Sequence, residues 1–182
     1  MIRRSEAEHA REVASELLAQ TGIAVRQSEL QGMQVADFGL SRLAVAGVQI
    51  VTLVDTDHVA VKLLILTPHQ TEPEHWHPEI GDYPGKEETV RCEWGELYLY
   101  GPGTRTAHPR GHPPADRLGT YTVWHEYVLH PSDQVTVQPG ERHWFQAGPQ
   151  GAVVWTFSTK AVDVADQFTD PEIVRETVMV DG

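Results

Sequence analysis

His75-Trp76-His77-Pro78, then Glu88-Thr89-Val90-Arg91-Cys92 after a ten-residue gap, and finally Pro139-Gly140-Glu141-Arg142-His143 decide how this chain is read. On a β-strand successive side chains alternate, so His75 and His77, two apart, point to the same side. Glu88 and His143 open later strand-like runs and meet that imidazole pair if the strands close on one another. Among ten histidines a lone His-x-His pair is a weak signal. Its register with Glu88 and His143 makes it a strong one for a metal site. His9, His58, His69, His108, His112, His125 and His130 read as surface or hydrogen-bonded residues, and Cys92 as a small buried apolar residue.

Glu88 is followed seven residues on by Gly95, and His143 is preceded by Pro139-Gly140 at a tight turn. His-x-His, Glu with a Gly at plus seven, and Pro-Gly-x-x-His form the two-part cupin signature. The fold class expected is all-β, a cupin-type double-stranded β-helix (jelly-roll) barrel. The chain departs from the usual pattern in two ways. The gap from His77 to Glu88 is ten residues where three or four are usual, and Pro68-His69 stands where a glycine commonly precedes the first histidine.

The surrounding chain is consistent with this. Val48 to Val54 and Val59 to Leu66 are β-branched or apolar runs split by the turn composition Asp55-Thr56-Asp57-His58. Further strands are expected at Glu88 to Trp94, Glu96 to Tyr100, Thr120 to Leu129, Gln134 to Val137, His143 to Ala147 and Ala152 to Ser158. They are separated by Trp94-Gly95-Glu96, Pro139-Gly140 and Gly148-Pro149-Gln150-Gly151, read as turns. Many short strands without alternating helices fit a sandwich or small barrel. Residues 1–22 read as a helix packed outside it, with capping-box spacing at Ser5-Glu6-Ala7-Glu8 and Gly22 as the stop. The expected organisation is one cupin domain over 1–182: helix, barrel at about 47–159, C-terminal tail at 160–182.

Composition narrows the partners. Lys plus Arg number 14 against 26 Asp plus Glu, a formal charge of −12, which disfavours nucleic acid and anionic membranes. One cysteine, Cys92, gives secretion no support. Acidic residues follow Arg3-Arg4 where a signal peptide needs an apolar run. A cytoplasmic protein is expected.

At the level of whole blocks the chain resembles the D-lyxose isomerases, manganese-dependent cupin sugar isomerases. The blocks are His75-Trp76-His77-Pro78, Gly85-Lys86-Glu87-Glu88-Thr89-Val90-Arg91-Cys92, Gly95 to Tyr100, Tyr121-Thr122-Val123-Trp124-His125-Glu126 and His143-Trp144-Phe145-Gln146-Ala147-Gly148. The resemblance runs from about Asp37 to Asp170. It implies that His75, His77, Glu88 and His143 ligate the metal. It also implies interconversion of D-lyxose with D-xylulose and D-mannose with D-fructose, as free sugars, in a homodimer. The strand Val153 to Phe157 departs from the family in carrying no acidic residue.

Three imidazoles and one carboxylate suit Mn, with Fe, Co, Ni or Zn also able to occupy such a site, and leave positions free for the carbonyl and hydroxyl oxygens of a sugar. Aldose–ketose isomerisation passes through an enediolate, which a chelating dication stabilises. Lys62, a charge inside an apolar run, and Lys86, two before Glu88, are candidate catalytic residues that add positive charge. Glu126, Asp170, a neutral lysine or a hydroxide on the metal are candidate bases, and a hydride shift would need none. Asp170, Trp144 and Phe145 are candidate substrate contacts. A cupin iron dioxygenase and a non-catalytic sugar-binding cupin use the same ligand set, and both readings stay open at this level.

Overall fold

Val48–Asp55 (β3) and Val59–Leu66 (β4) pair as a hairpin in which Thr52 faces Lys62 and Ile50 faces Leu64. Thr56 fixes its turn: its amide donates to the Val59 carbonyl, and its hydroxyl oxygen accepts from the amides of His58 and Val59. Around this hairpin a computed structural model describes residues 1–181. Before it in the chain come Ile2–Arg3 (β1), helix α1 (Arg4–Ala19), helix α2 (Gln27–Gln31) and Gln34–Ala36 (β2). After it come Thr71–Trp76 (β5), Glu88–Gly101 (β6), His125–Leu129 (β7), Gln134–Val137 (β8), His143–Thr159 (β9), Gln167–Phe168 (β10) and Met179–Val180 (β11). Among the described residues no helix is long and apolar enough to cross a membrane.

Two long antiparallel strands, β6 and β9, form the centre of a curled sheet. The far edge of β9 is lined first by β5 and then by β4, and the far edge of β6 by β7 and β8. Alternation along these strands sorts the side chains. Val48, Ile50, Leu64, Leu66, Val90, Leu99, Phe145 and Val154 share one enclosed core. Leu63, Ile65 and Val153 face the other way and are covered by Ala14 and Leu18 of α1. Leu63 and Ile65 are fully buried there, and each such side chain contributes roughly 1.5–3 kcal/mol. The helix therefore lies outside the sheet, as expected. β1 and β11 pair in parallel and tie the two ends of the chain together.

The structure corrects several boundaries. Trp94-Gly95-Glu96 and Gly148-Pro149-Gln150-Gly151 do not reverse the chain, and β6 and β9 run through them as strands of 14 and 17 residues. The two glycine sites serve one shared kink. Gly95 (φ +76°) and Gly151 (φ +92°) meet where the paired strands bend, with register shifts in β6 on either side of Gly95. A Cβ on Gly95 would lie 2.1 Å from the Gly151 carbonyl oxygen. Turn-type residues are used to bend two strands together. The run from Thr120 enters the sheet only at His125, because Ala115–Thr120 is a 3₁₀ turn. At the N-terminus Arg3 caps α1 without a side-chain bond, so the capping box at Ser5 is not formed. The sheet extends beyond 47–159: β2 adds to its edge, and β10 in the tail pairs with β5.

Candidate metal centre

His75 on β5 and His143 on β9 are register partners across the sheet, with ring centroids 4.2 Å apart. His77, one residue beyond the end of β5, brings its ring to 5.2 and 5.0 Å from theirs. All three are buried, and their candidate ligand atoms lie within 4.8 Å of one another. The outer nitrogen of each ring is occupied. Nδ1 is 2.9 Å from the Pro73 carbonyl oxygen in His75, 3.0 Å from that of Glu141 in His143, and 2.8 Å from Asp166 Oδ1 in His77. Those oxygens accept, so each Nδ1 carries the hydrogen, and the Nε2 atoms of His75 and His143 turn lone pairs inward.

For His75 and His143 the electrostatics agree with neutral donors. Burial, then the neighbouring His143, holds His75 well below the usual histidine range. Burial, then His77, lowers His143 to about 3. His143 Nε2 is buried without a hydrogen-bond partner, as fits an atom meant for an ion. His77 Nε2 lies 3.2 Å from Glu88 Oε2. Burial opposes charge on His77, but its bonds to Asp166 and Glu88 outweigh that and raise its pKa. Three inward imidazole nitrogens and an adjacent carboxylate are a donor set that fits a divalent cation of mixed N and O preference.

Beside the histidines lies a charged network. Lys86 Nζ is 3.3 Å from Glu88 Oε1 and 3.4 Å from Asp163 Oδ1. Lys62 bonds the other oxygen of Asp163, and Arg175 stands 3.8 Å from it. Burial disfavours the Glu88 carboxylate, yet Lys86 and His77 hold its pKa well below the usual range. Burial likewise opposes the Lys86 charge, and Glu88 and Asp163 overcome it. Asp163 is lowered to about 2 because Lys86 and Lys62 outweigh its burial.

Glu72 completes the wall. It pairs with Phe145 on β9 while His75 pairs with His143, so three residues on β5 span two on β9. This bulge at Pro73 turns Glu72 to the same side as His75. Its Oε1 is 4.0 Å from His75 Nε2, and its Oε2 is buried without a partner. Burial, then the Glu88 charge, pushes its pKa up to about 8. Lys62, Glu72, His75, Lys86, Glu88 and Asp163 line one cavity, with Phe145 and Thr156 on its wall.

The other candidates lie elsewhere. Glu126 on β7 accepts from the Tyr100 hydroxyl and the Arg110 amide. Asp170 is buried against Arg117 at 2.8 Å and accepts from the Glu172 amide. Trp144, one residue from His143 on the same strand, faces the opposite side. It stacks on Tyr100 at 3.9 Å, meets Tyr121 and Trp124 in T-shaped contacts and is fully buried. Cys92 sits in the core, its thiol raised by burial to about 12. Sequence reading passed over Glu72, Asp163, Asp166 and Arg175. A fifth missed residue, buried Glu74, accepts from Thr122, Val123 and Thr169 and pins the segment after the 3₁₀ turn to β5.

No family model matches the chain. It is 47% identical over 178 residues to the D-lyxose ketol-isomerase of Cohnella laeviribosi, covering 98% of each chain. It is 45% identical over 175 residues to the D-lyxose ketol-isomerase of Thermofilum sp. (strain ex4484_79), covering 96% of this chain and 97% of that one. The D-lyxose/D-mannose isomerase of Thermosediminibacter oceani is 44% identical over 175 residues, with 96% and 97% covered. Similar solved structures include Acinetobacter sp. DL28 L-ribose isomerase in complex with L-ribose, with TM-score 0.82, 14% identity and 98% of both chains covered. Cellulomonas parahominis L-ribose isomerase with no ligand superposes with TM-score 0.80 at 17% identity, again over 98% of both chains. At such identities the likeness is one of fold.

Proposed function

The chain belongs to the D-lyxose ketol-isomerase family, and from that premise we propose that it interconverts D-lyxose with D-xylulose and D-mannose with D-fructose as free sugars. The observation that carries the reading is the convergence of His75, His77 and His143 with Glu88 beside them. These four residues would hold a divalent ion, Mn in this proposal, within a single cupin-type jelly-roll domain spanning 1–182. A homodimer acting in the cytoplasm is part of the same proposal and rests on the family resemblance.

When bound, the ion supplies Lewis-acid polarisation of the sugar carbonyl and its neighbouring hydroxyl. The protein's own groups do the rest. Asp166 and the carbonyls of Pro73 and Glu141 fix the orientation of the three rings. Lys86, kept charged by Glu88 and Asp163, places a cation in the cavity where negative charge develops on a sugar oxygen. Lys62 adds a second cation on the same wall. Burial of the histidines keeps water from competing for these charges.

The test is incubation of Mn-loaded protein with a panel of free aldoses, ketoses and their 6-phosphates, with products separated by chromatography. Turnover of D-lyxose and D-mannose is expected. No turnover of any free sugar, or a clear preference for a phosphate ester, defeats the reading.

A further inference from the structure

We propose that Glu72 is the catalytic residue that carries hydrogen between C1 and C2 of the sugar; this rests on the isomerase reading above. Such a carrier needs an acid–base atom that lies in the cavity and is not engaged by the protein.

The groups on the wall can be taken in turn. Glu88 is a candidate ligand of the ion, and its Oε1 already accepts from Lys86. Both oxygens of Asp163 are engaged, by Lys86 on one side and by Lys62 and Arg175 on the other. Asp166 holds the His77 ring, and a proton taken there would compete with the N–H it accepts. Arg175 stays protonated in proteins. Lys86 is committed to two carboxylates. Glu72 differs from all of these: Oε2 is buried and makes no hydrogen bond, and Oε1 lies 4.0 Å from His75 Nε2, beyond hydrogen-bond reach.

The backbone is shaped to put it there. Strict alternation would send Glu72 to the face opposite His75, and the bulge between Glu72 and His75 reverses that. Proline suits the bulge because it has no N–H to leave unpaired. The Pro73 carbonyl also accepts from His75 Nδ1, so one distortion aims the imidazole and the carboxyl together. A buried polar atom without a partner is costly, on the order of 1–3 kcal/mol, and a catalytic role is one reason a folded protein keeps one.

The step balances within the substrate. In the aldose the C2–H bond breaks and its proton passes to Glu72 Oε2. The electron pair becomes the C1–C2 double bond, and the carbonyl π pair moves onto O1. Glu72 then returns the proton to C1 as C2–O becomes the carbonyl, and the O2 proton passes to O1. No oxidant or reductant is consumed.

The experiment compares wild type with Glu72→Gln and Glu72→Asp, all Mn-loaded. Three quantities are measured: metal content, affinity for xylitol (which has no carbonyl to react) and kcat with D-lyxose. We expect Glu72→Gln to keep metal and to bind xylitol within threefold of wild type, with kcat reduced at least about a hundredfold. Glu72→Asp should fall between the two. A kcat within threefold of wild type, or parallel loss of metal or of xylitol binding, overturns the proposal. Should the glutamine variant not fold, an unchanged kcat in Glu72→Asp overturns it and a drop of tenfold or more supports it. An inactive wild type would overturn the isomerase reading itself, whereas an active wild type with an active Glu72→Gln overturns this proposal alone.

Discussion

Lys86 reaches Glu88 across two residues of chain, Nζ to Oε1 at 3.3 Å, and the same ammonium reaches Asp163 from the C-terminal tail at 3.4 Å. One cation thus joins the strand bearing a candidate ligand to a segment seventy-seven residues away. We expect Lys86→Ala to retain metal, since Lys86 is not itself a donor in the cluster, and to lose about a hundredfold or more in kcat. Elemental analysis beside steady-state kinetics separates the two effects. A loss under threefold would return Lys86 to a structural role.

Asp166 holds the Nδ1–H of His77 at 2.8 Å and so sets which nitrogen faces inward. We expect Asp166→Ala to weaken Mn affinity roughly 10–100-fold and His143→Ala to abolish stoichiometric binding. Titration with Mn followed by its paramagnetic signal measures both. Undiminished metal in His143→Ala would remove that residue from the ligand set.

Asp163 has a folded pKa of about 2 against an ordinary 3.8, the result of Lys86 and Lys62 outweighing its burial. A carboxyl whose folded pKa is depressed contributes stability that is complete above its unfolded pKa and disappears as pH falls through the folded value. We therefore expect metal-free Asp163→Asn to be less stable than metal-free wild type by about 2 kcal/mol at pH 7. The difference should shrink below about pH 4 and vanish near pH 2. Urea unfolding at three pH values measures it, and a pH-independent difference would contradict this origin.

Gly95 is the point where β6 crosses the bend in β9. A methyl group there meets the Gly151 carbonyl oxygen at 2.1 Å from a backbone with φ +76°. The three nearest atoms, Gly151 O and C and Ala152 Cα, are all backbone, so the strain has no easy relief. We expect Gly95→Ala to cost more than about 3 kcal/mol, read as a lowered midpoint in chemical denaturation.

What the sequence could reveal depended on whether the signal was local. The convergence of His75, His77 and His143 is legible because residue type and strand parity are both written in short stretches, and the place of Lys62 on the cavity wall because a charge in an apolar run stands out. Glu72 was not, because the bulge at Pro73 breaks the alternation from which its direction would be read. Asp163 and Asp166 were not, because they follow the last long strand and reach the site only through the tertiary path of the tail. Gly148 to Gly151 were misread as a reversal because the same residues suit a turn and a kink. Only the partner strand distinguishes the two.

β9 runs unbroken from His143 to Thr159, bonded to β5 and β4 along one edge and to β6 along the other. An amide in the middle of such a strand exchanges with solvent only when both edges release it, an opening close to global unfolding. The histidine cluster and the apolar core therefore belong to one cooperative unit. A cavity made far from the histidines, at Val154 for instance, would register as faster deuterium uptake around His143, so that damage to packing and damage to the metal site would be inherited together.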